Sequence, residues 1–252
     1  MSHSFEYPDF VARFYDIIYK KVRSGVDTEY FMNKILGTSG KVLEIGVGTG
    51  RFFINALEKG ADIYGIDISK SMIDILKTKL NPENHYRVIT GDAASTKLDI
   101  KFDLILAPFH VFAHVLETTE QITCLNNVYE HLDEKGRFIF DVFVPNPKLM
   151  AEGINEVTDF EGEYEPGRKV RRIVSSKTDI VNQLLDVTMK FVWDENNKQA
   201  EKEWSLQMRL FFRYELEYLV KRSKLTLVNI FGDYQENLLN SDSKEFIVVC
   251  KK

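Results

Sequence analysis

Apolar and polar residues follow two different periods along this chain. Up to about residue 145, short runs of Val, Ile and Leu alternate with stretches in which apolar residues recur every three or four positions. The apolar runs are typical of buried strands, and the periodic stretches are typical of amphipathic helices. The pattern therefore predicts a parallel sheet covered by helices. We expect strands near 41–46, 62–67, 86–90, 102–107 and 136–143, and helices near 50–58, 70–79 and 118–132.

A helical pattern also precedes the first predicted strand, within residues 8–36. Phe10 and Phe14 belong to one apolar stripe at helical spacing, and Phe31 belongs to a second, shorter stripe that ends before Gly37. The segment is therefore predicted to be helical.

The period changes to two in residues 156–212. Strict alternation of apolar and polar residues is typical of strands with one buried face, so we predict a small antiparallel sheet with a polar turn at residues 194–199. Its apolar faces must be buried, either on the main domain or over a substrate. One face carries Leu185, Val187, Met189, Phe191 and Trp193, and another carries Trp204, Leu206, Met208, Leu210 and Phe212.

The last forty residues predict a helix near 213–223 and two strands, 225–231 and 245–250, joined without a helix. Two strands joined in this way form an antiparallel hairpin. The predicted organisation is a core formed by residues 1–150 and 213–252, with N-terminal helices in 1–37, and an antiparallel β insertion at 151–212 that acts as a lid.

The most informative segment is the glycine-rich turn after the first predicted strand. Gly46, Gly48 and Gly50 let the backbone turn tightly and let a ligand approach main-chain N–H groups. Glu44 precedes them on the strand, where a buried carboxylate is costly unless something uses it. Asp67, 17 residues past Gly50, ends the next strand, where doubly wound folds bind ribose hydroxyls. The set predicts a nucleoside site.

A third acidic residue follows the third predicted strand. Asp92 can accept from the exocyclic amine of adenine, and the backbone N–H of Ala93 can donate to a ring nitrogen. In the NAD-binding pattern G-x-G-x-x-G/A the third small residue would stand at position 51, but that residue is Arg51 and the third glycine comes one place earlier, at Gly50. The phosphate-binding pattern of P-loop proteins is absent. The nucleoside site therefore lacks a complete pyrophosphate-binding pattern.

These motifs, with the strand at residues 102–108, resemble the successive motifs of class I S-adenosylmethionine-dependent methyltransferases over about residues 40–145. The resemblance implies an α/β fold with a doubly wound, seven-stranded, mostly parallel sheet, closed by the final hairpin, and S-adenosylmethionine as cofactor. In that family the glycine loop faces the methionine part, the acid after the second strand binds ribose, and the acid after the third reads adenine. The implied cofactor contacts are Glu44, Gly46, Gly48, Gly50, Asp67, Ile68, Met72, Asp92, Ala93, Ala107 and Phe109.

The layout of N-terminal helices, core and β insertion is similar to that of amino-sugar and glycine-type N-methyltransferases, in which the insertion lids the pocket. The resemblance thus implies transfer of a methyl group to nitrogen or oxygen of a small molecule. Such a reaction depends mostly on holding two reactants in line and excluding water. The alternatives are an RNA or protein methyltransferase, a non-catalytic nucleoside-binding module and an NAD-dependent oxidoreductase.

Three side chains are candidates for the acceptor side of the site. His110 and His114 would share a face if they lie on a helix, and each suits a base or an orienting group, or else a capping or core histidine. Tyr15 can fold over the sulfonium or be an ordinary core-edge residue. The histidine pair has no obvious third ligand, so no metal site is predicted.

Composition narrows the partners and the compartment. The chain has 252 residues, 44% of them hydrophobic and 28% charged, with no apolar run long enough to span a membrane and no secretory signal pattern. Two cysteines in unrelated contexts predict free thiols in a reducing cytoplasm. The predicted partners are a small-molecule acceptor and, as an open alternative, a second copy of the chain in a homodimer.

Charge is unevenly distributed. The net charge of −5 disfavours binding of nucleic acid, for which a basic face is expected. Residues 168–224 nevertheless carry 13 Lys and Arg against 8 Asp and Glu, a local net charge of +5. This excess indicates either a solvated sheet face or an anionic acceptor near that segment.

Overall fold

The fold is built on two β-sheets, and the computed structural model describes residues 6–22, 25–195 and 198–252. The strands, numbered along the chain, are β1 Val42–Ile45, β2 Ile63–Asp67, β3 Val88–Thr90, β4 Phe102–Ala107, β5 Leu132–Phe143, β6 Ile154–Glu165, β7 Arg168–Asp179, β8 Leu184–Glu195, β9 Lys198–Arg209, β10 Thr226–Phe231 and β11 Glu245–Lys251. The α-helices are α1 Asp9–Val22, α2 Val26–Leu36, α3 Phe53–Glu58, α4 Lys70–Lys79, α5 Thr118–His131, α6 Pro147–Glu152 and α7 Arg213–Arg222.

The larger sheet has seven strands in the order β10-β11-β5-β4-β1-β2-β3. Strands β1 to β5 pair in parallel, whereas β11 is antiparallel to both of its neighbours, β5 and β10. The predicted doubly wound, mostly parallel seven-stranded sheet with a final hairpin is confirmed. The winding direction reverses between β1 and β4, which is the switch point where ligands bind in such folds.

Alternate residues of the central strand enter two separate cores, one on each face of the sheet. Leu43 and Ile45 join a buried cluster with residues of α5 and α7, while Val42 joins a cluster with residues of α2, α3 and α4. A strand buried on both faces carries a continuous apolar run, which is why the sequence shows no alternation there.

The smaller sheet is antiparallel, with the order β6-β7-β8-β9. Phe191 and Trp193 of β8 and Val170 of β7 form a third buried cluster with Phe14 and Ile18 of α1. The apolar stripe of α1 and the alternating face of this sheet therefore bury each other. The sheet shares its core with the N-terminal helix, while α2 packs on the seven-stranded sheet.

The insertion contains four strands, whereas strict alternation identifies only the two that correspond to β8 and β9. Strand β6 exposes most of its residues, and its pairing with β7 has three irregularities in register, so alternation is weak there. The prediction that Leu210 and Phe212 continue the last strand is wrong. Strand β9 ends at Arg209, and Phe212 immediately precedes α7.

Other predicted boundaries shift by a few residues. The helix expected from residue 50 begins at Phe53, because the preceding residues form the turn of the glycine loop. Strand β3 begins only at Val88, after a 3-10 helix at Pro82–Arg87. Ser69 caps the N-terminus of α4, since its Oγ accepts from the Met72 N–H. Within the described residues, no helix combines the length and apolarity that a bilayer crossing requires.

Candidate active site

A cavity of about 350 Å³ lies at the carboxyl ends of β1, β2 and β4, at the switch point of the sheet. The loops after these strands form its floor, and α1 and the four-stranded sheet close it from above. Eleven of the fourteen predicted site residues line it, namely Tyr15, Gly46, Gly48, Asp67, Ile68, Met72, Asp92, Ala93, Phe109, His110 and His114.

The other three, Glu44, Gly50 and Ala107, are not among the lining residues. Ala107 is buried at the end of β4, within a core cluster. Gly50 has φ 93°, and a Cβ there would lie 2.4 Å from Leu76 Cδ1, so the conformation of the loop favours glycine at this position. Glu44 is buried on β1, one strand residue away from the loop.

The glycine loop and Asp67 are joined by hydrogen bonds. The Gly48 N–H donates to Asp67 Oδ2 at 2.8 Å, and the Ser69 N–H donates to Asp67 Oδ1 at 2.8 Å. Both carboxylate oxygens are thereby fixed in direction at the cavity wall. Gly46 has φ 71°, and a Cβ there would lie 2.3 Å from Val111 Cγ2, so the loop can approach the neighbouring segment only with glycine.

Asp67 is almost completely buried at the cavity wall, with 8% of its surface exposed. Burial raises the pKa of this carboxyl to about 6, although the backbone N–H groups of Ser69 and Gly48 favour the ionised form. Asp67 is therefore mostly ionised at neutral pH and can accept from hydroxyl groups. Protonation near pH 6 would remove that capacity.

Asp92 follows β3 and is held by its own turn. Its Oδ1 accepts from the Ala94 N–H at 2.8 Å, and no hydrogen bond to Oδ2 is found among the described residues. A carboxylate oxygen at the cavity wall with remaining acceptor capacity can receive an exocyclic amine. The predicted adenine contact at Asp92 and Ala93 is geometrically available.

Two buried polar atoms beside the glycine loop lack a hydrogen-bond partner among the described residues: Glu44 Oε2 and Arg51 Nε. Burial raises the pKa of Glu44 well above its usual value, and the charge of Arg51 opposes that shift. Arg51 also pairs with the buried carboxylate of Asp27, and its guanidinium lies 5.0 Å from the ring centroid of Phe109. One unused acceptor and one unused donor next to the loop fit the amino and carboxylate groups of a methionine moiety.

His110 and His114 do not lie together on an α-helix, so the condition for a shared helical face is not met. Val111–His114 is a 3-10 helix of four residues, and His110 precedes it in the left-handed conformation, with φ 59°. Both rings nevertheless line the cavity. Burial lowers the pKa of His114 to about 4, so this ring is neutral at physiological pH.

Aromatic rings form the roof of the cavity. Tyr15 lies 4.4 Å from Tyr19 and 5.9 Å from Tyr7, measured between ring centroids, and Tyr7 lies 4.8 Å from the Trp204 ring of the four-stranded sheet. Tyr19 in turn contacts the Phe109 ring edge-on at 5.2 Å. A cation in this part of the cavity would face π-systems and tyrosine oxygens.

No lysine or arginine is found among the described residues that line the cavity. Arg172, in the basic segment, is buried and engages both oxygens of Asp159, at 3.0 and 2.6 Å. Arg171 and Arg213 are exposed. The basic excess of residues 168–224 therefore does not enter this cavity through these three arginines.

Three side chains beside His110 complete the site although sequence analysis did not single them out: Asp141, Tyr234 and Glu245. Asp141 accepts from the His110 N–H at 3.1 Å and from the Tyr234 hydroxyl at 2.6 Å, and Glu245 Oε2 lies 2.8 Å from His110 Nε2. One signal was present for Asp141, because this acid interrupts an apolar strand as Glu44 does.

The doubly wound sheet carries a glycine loop after β1, acids after β2 and β3, and a covered cavity at the switch point. This is the arrangement that the resemblance to class I S-adenosylmethionine-dependent methyltransferases implies. Residues 42–136 match the sequence model of a family described as a methyltransferase domain. A curated relative, the cypemycin N-terminal methyltransferase of a Streptomyces species, is 23% identical over the full length of both chains. Residues 42–136 are therefore a methyltransferase domain, and S-adenosylmethionine is the cofactor that its motifs predict.

Solved structures show the same fold. The CcbJ methyltransferase from Streptomyces caelestis superposes with a TM-score of 0.78 at 22% identity, with 98% of each chain covered. CalS10, an amino pentose methyltransferase from Micromonospora echinaspora solved with S-adenosylmethionine bound, gives a TM-score of 0.67 at 14% identity, with 94% of this chain and 96% of that chain covered.

Proposed function

We propose that this methyltransferase acts on the nitrogen of a small amine. The observation that carries the proposal is the acceptor side of the cavity, which combines aromatic rings with His110 and has no lysine or arginine among the described lining residues. An oxygen nucleophile would develop negative charge that such a wall does not stabilise, whereas an amine presents positive or neutral nitrogen to aromatic faces. An anionic acceptor is disfavoured for the same reason.

The cofactor side of the proposal assigns a task to each polar group. Asp67 would accept from both ribose hydroxyls, and Asp92 with the Ala93 N–H would bind the adenine edge. Glu44 and Arg51 would hold the amino and carboxylate groups of the methionine moiety beside the glycine loop. When bound, S-adenosylmethionine supplies an electrophilic methyl group attached to a sulfonium.

Methyl transfer requires that the acceptor amine is held in position, that water is excluded and that a group accepts the proton of the amine. Tyr15 and Tyr19 of α1, with Trp204 of the insertion, would cover the reacting groups and exclude solvent. His110 would accept the proton that the amine loses, since His114 is held neutral by burial and has a pKa of about 4. His114 would then orient the acceptor.

A second candidate acceptor is the terminal amine of a peptide. The full-length similarity to the cypemycin N-terminal methyltransferase supports it, since that name specifies a terminal position. The covered cavity favours a small free amine, because a peptide needs an open path for the rest of its chain. RNA remains disfavoured by the net charge of −5. Homodimer formation stays a prediction.

A transfer assay with labelled S-adenosylmethionine tests the proposal. We expect label to pass to members of a panel of small primary and secondary amines, and not to the alcohols of matching shape, because the site favours a nitrogen nucleophile. Short peptides and tRNA, included in the same panel, should remain unlabelled. Transfer to the alcohols but not to the amines would overturn the assignment of nitrogen, and transfer confined to peptides or tRNA would overturn the assignment of a small acceptor.

A further inference from the structure

The loop after β4 holds two consecutive residues in an uncommon backbone conformation. Phe109 has φ 66° and His110 has φ 59°, and both are non-glycine residues in the left-handed region. Such strain persists only where the surroundings fix it, and it concentrates at functional sites. The contacts that hold His110 in this conformation therefore indicate a functional role for its ring.

Three side chains from separate parts of the chain fix this residue. Asp141 of β5, completely buried, accepts from the His110 backbone N–H at 3.1 Å, and its Oδ2 lies 3.7 Å from Nε2 of the ring. Glu245 of β11 lies 2.8 Å from the same ring nitrogen. Tyr234, between β10 and β11, donates to Asp141 Oδ2 at 2.6 Å and so orients that carboxylate.

The ring is also held by packing. The Phe143 ring meets it edge-on with centroids 5.4 Å apart, and the Phe109 ring stacks at 6.1 Å. Within the described residues, every hydrogen bond of the His110 ring involves Nε2. Nδ1 is the ring nitrogen that the fold leaves to a ligand in the cavity.

We propose that Glu245, Asp141 and Tyr234 are positioning residues that hold His110 as the proton acceptor of the reaction, with Nε2–H directed to Glu245 and Nδ1 to the acceptor amine. This role for the ring rests on the proposed function. In the step, an N–H bond of the acceptor ammonium breaks, its electron pair stays on nitrogen, and the proton binds Nδ1. The resulting imidazolium lies between two carboxylates.

The electrostatic surroundings of the ring set its response to pH. Among the described residues, the titratable groups around it are Glu245 from β11, Asp141 from β5 and His114 from the 3-10 helix, and Tyr234 acts through its hydrogen bond to Asp141. The two carboxylates favour the imidazolium, and His114 is neutral at physiological pH. Removing the charge of Glu245 should therefore destabilise the imidazolium form.

A titration of the histidine ring signals by NMR tests this directly, with His110→Gln used to assign the signal. In Glu245→Gln we expect the titration midpoint of that signal to fall by about 1 to 3 pH units, because an adjacent opposite charge shifts ionisation by that amount. The midpoint should remain where it is in Glu134→Gln, in which an exposed glutamate paired with Lys252 is changed. Glu245→Asp keeps a carboxylate, so its midpoint should lie closer to that of wild type than to that of Glu245→Gln.

Two results would overturn the proposal: an unchanged midpoint in folded Glu245→Gln, or stoichiometric perturbation of the His110 signal by added Zn²⁺ or Mg²⁺ that Glu245→Gln abolishes. The second result would mean that His110, Asp141 and Glu245 hold a cation, since one ligand atom of each lies within 4.8 Å of the other two. The titration does not depend on turnover. A shifted midpoint in a protein that methylates no amine would refute the proposed function and leave the positioning of the ring intact.

Discussion

Replacing His110 with glutamine is expected to lower kcat for methyl transfer by about 100- to 10,000-fold, the usual contribution of a positioned general base. Affinity for S-adenosylmethionine should change little, because the polar groups assigned to the cofactor lie on the loops after β1, β2 and β3 rather than on this ring. Steady-state kinetics with the amine identified by the transfer assay, together with calorimetry of the cofactor, separate the two effects.

The matched control for this variant is His85→Gln. His85 lies in the 3-10 helix before β3, and its ring contacts backbone carbonyls away from the cavity. It should retain near wild-type turnover. A His110→Gln enzyme with more than about one tenth of wild-type kcat would show that the ring is not the proton acceptor.

Phe191→Ala is expected to lower the free energy of unfolding by about 3 to 5 kcal/mol, the range for truncating a buried phenylalanine. Phe191 is 1% exposed and packs between the four-stranded sheet and α1, with ring contacts to Phe10 at 5.4 Å and Phe14 at 6.2 Å. Since α1 also carries Tyr15, turnover should fall in the folded fraction. Denaturant unfolding measures the first effect and kinetics below the transition measures the second.

Val181→Ala provides the comparison for this variant, because Val181 lies in the turn between β7 and β8 and is 90% exposed. Its effect should remain within about 0.5 kcal/mol, as for most surface substitutions. A loss below about 1 kcal/mol in Phe191→Ala would contradict the shared core of α1 and the insertion.

Much of this fold could be predicted from local patterns. Apolar runs separated by helical stretches give the parallel sheet, and the glycine turn with acids after β2 and β3 gives the cofactor side of the site, because each motif is contained within one strand and its following loop. The buried acid Glu44 carries the same kind of local signal. Sequence alone could not show that Glu44 Oε2 and Arg51 Nε both lack a hydrogen-bond partner among the described residues.

The group around His110 could not be predicted in this way. His110 and Glu245 are 135 positions apart, and they meet only because β11 inserts antiparallel beside β5 and pairs Glu245 with Phe143. Sequence periodicity gives the existence of strands but not this register. The lone acid Asp141 within its apolar strand was the available clue.

The sequence predicts that the insertion is an antiparallel sheet, but it does not identify all four strands. Alternation identifies β8 and β9, whose apolar face packs on α1, but β6 is mostly exposed and irregularly paired. The proposed lid boundaries at residues 151 and 212 remain a prediction. Strand β6 begins at Ile154 and β9 ends at Arg209.

The most direct test of the central claim is the affinity for S-adenosylmethionine of wild type and Asp67→Ala, measured by calorimetry at neutral pH, with Asp74→Ala as an exposed control on α4. We expect Asp67→Ala to weaken binding by about 1.5 to 3 kcal/mol, or roughly 10- to 150-fold, because a charged acceptor of two hydroxyl groups is lost. Wild-type affinity should also fall as the pH drops through about 6, where Asp67 takes up a proton. Unchanged affinity in a folded Asp67→Ala protein would contradict the placement of the cofactor in this cavity.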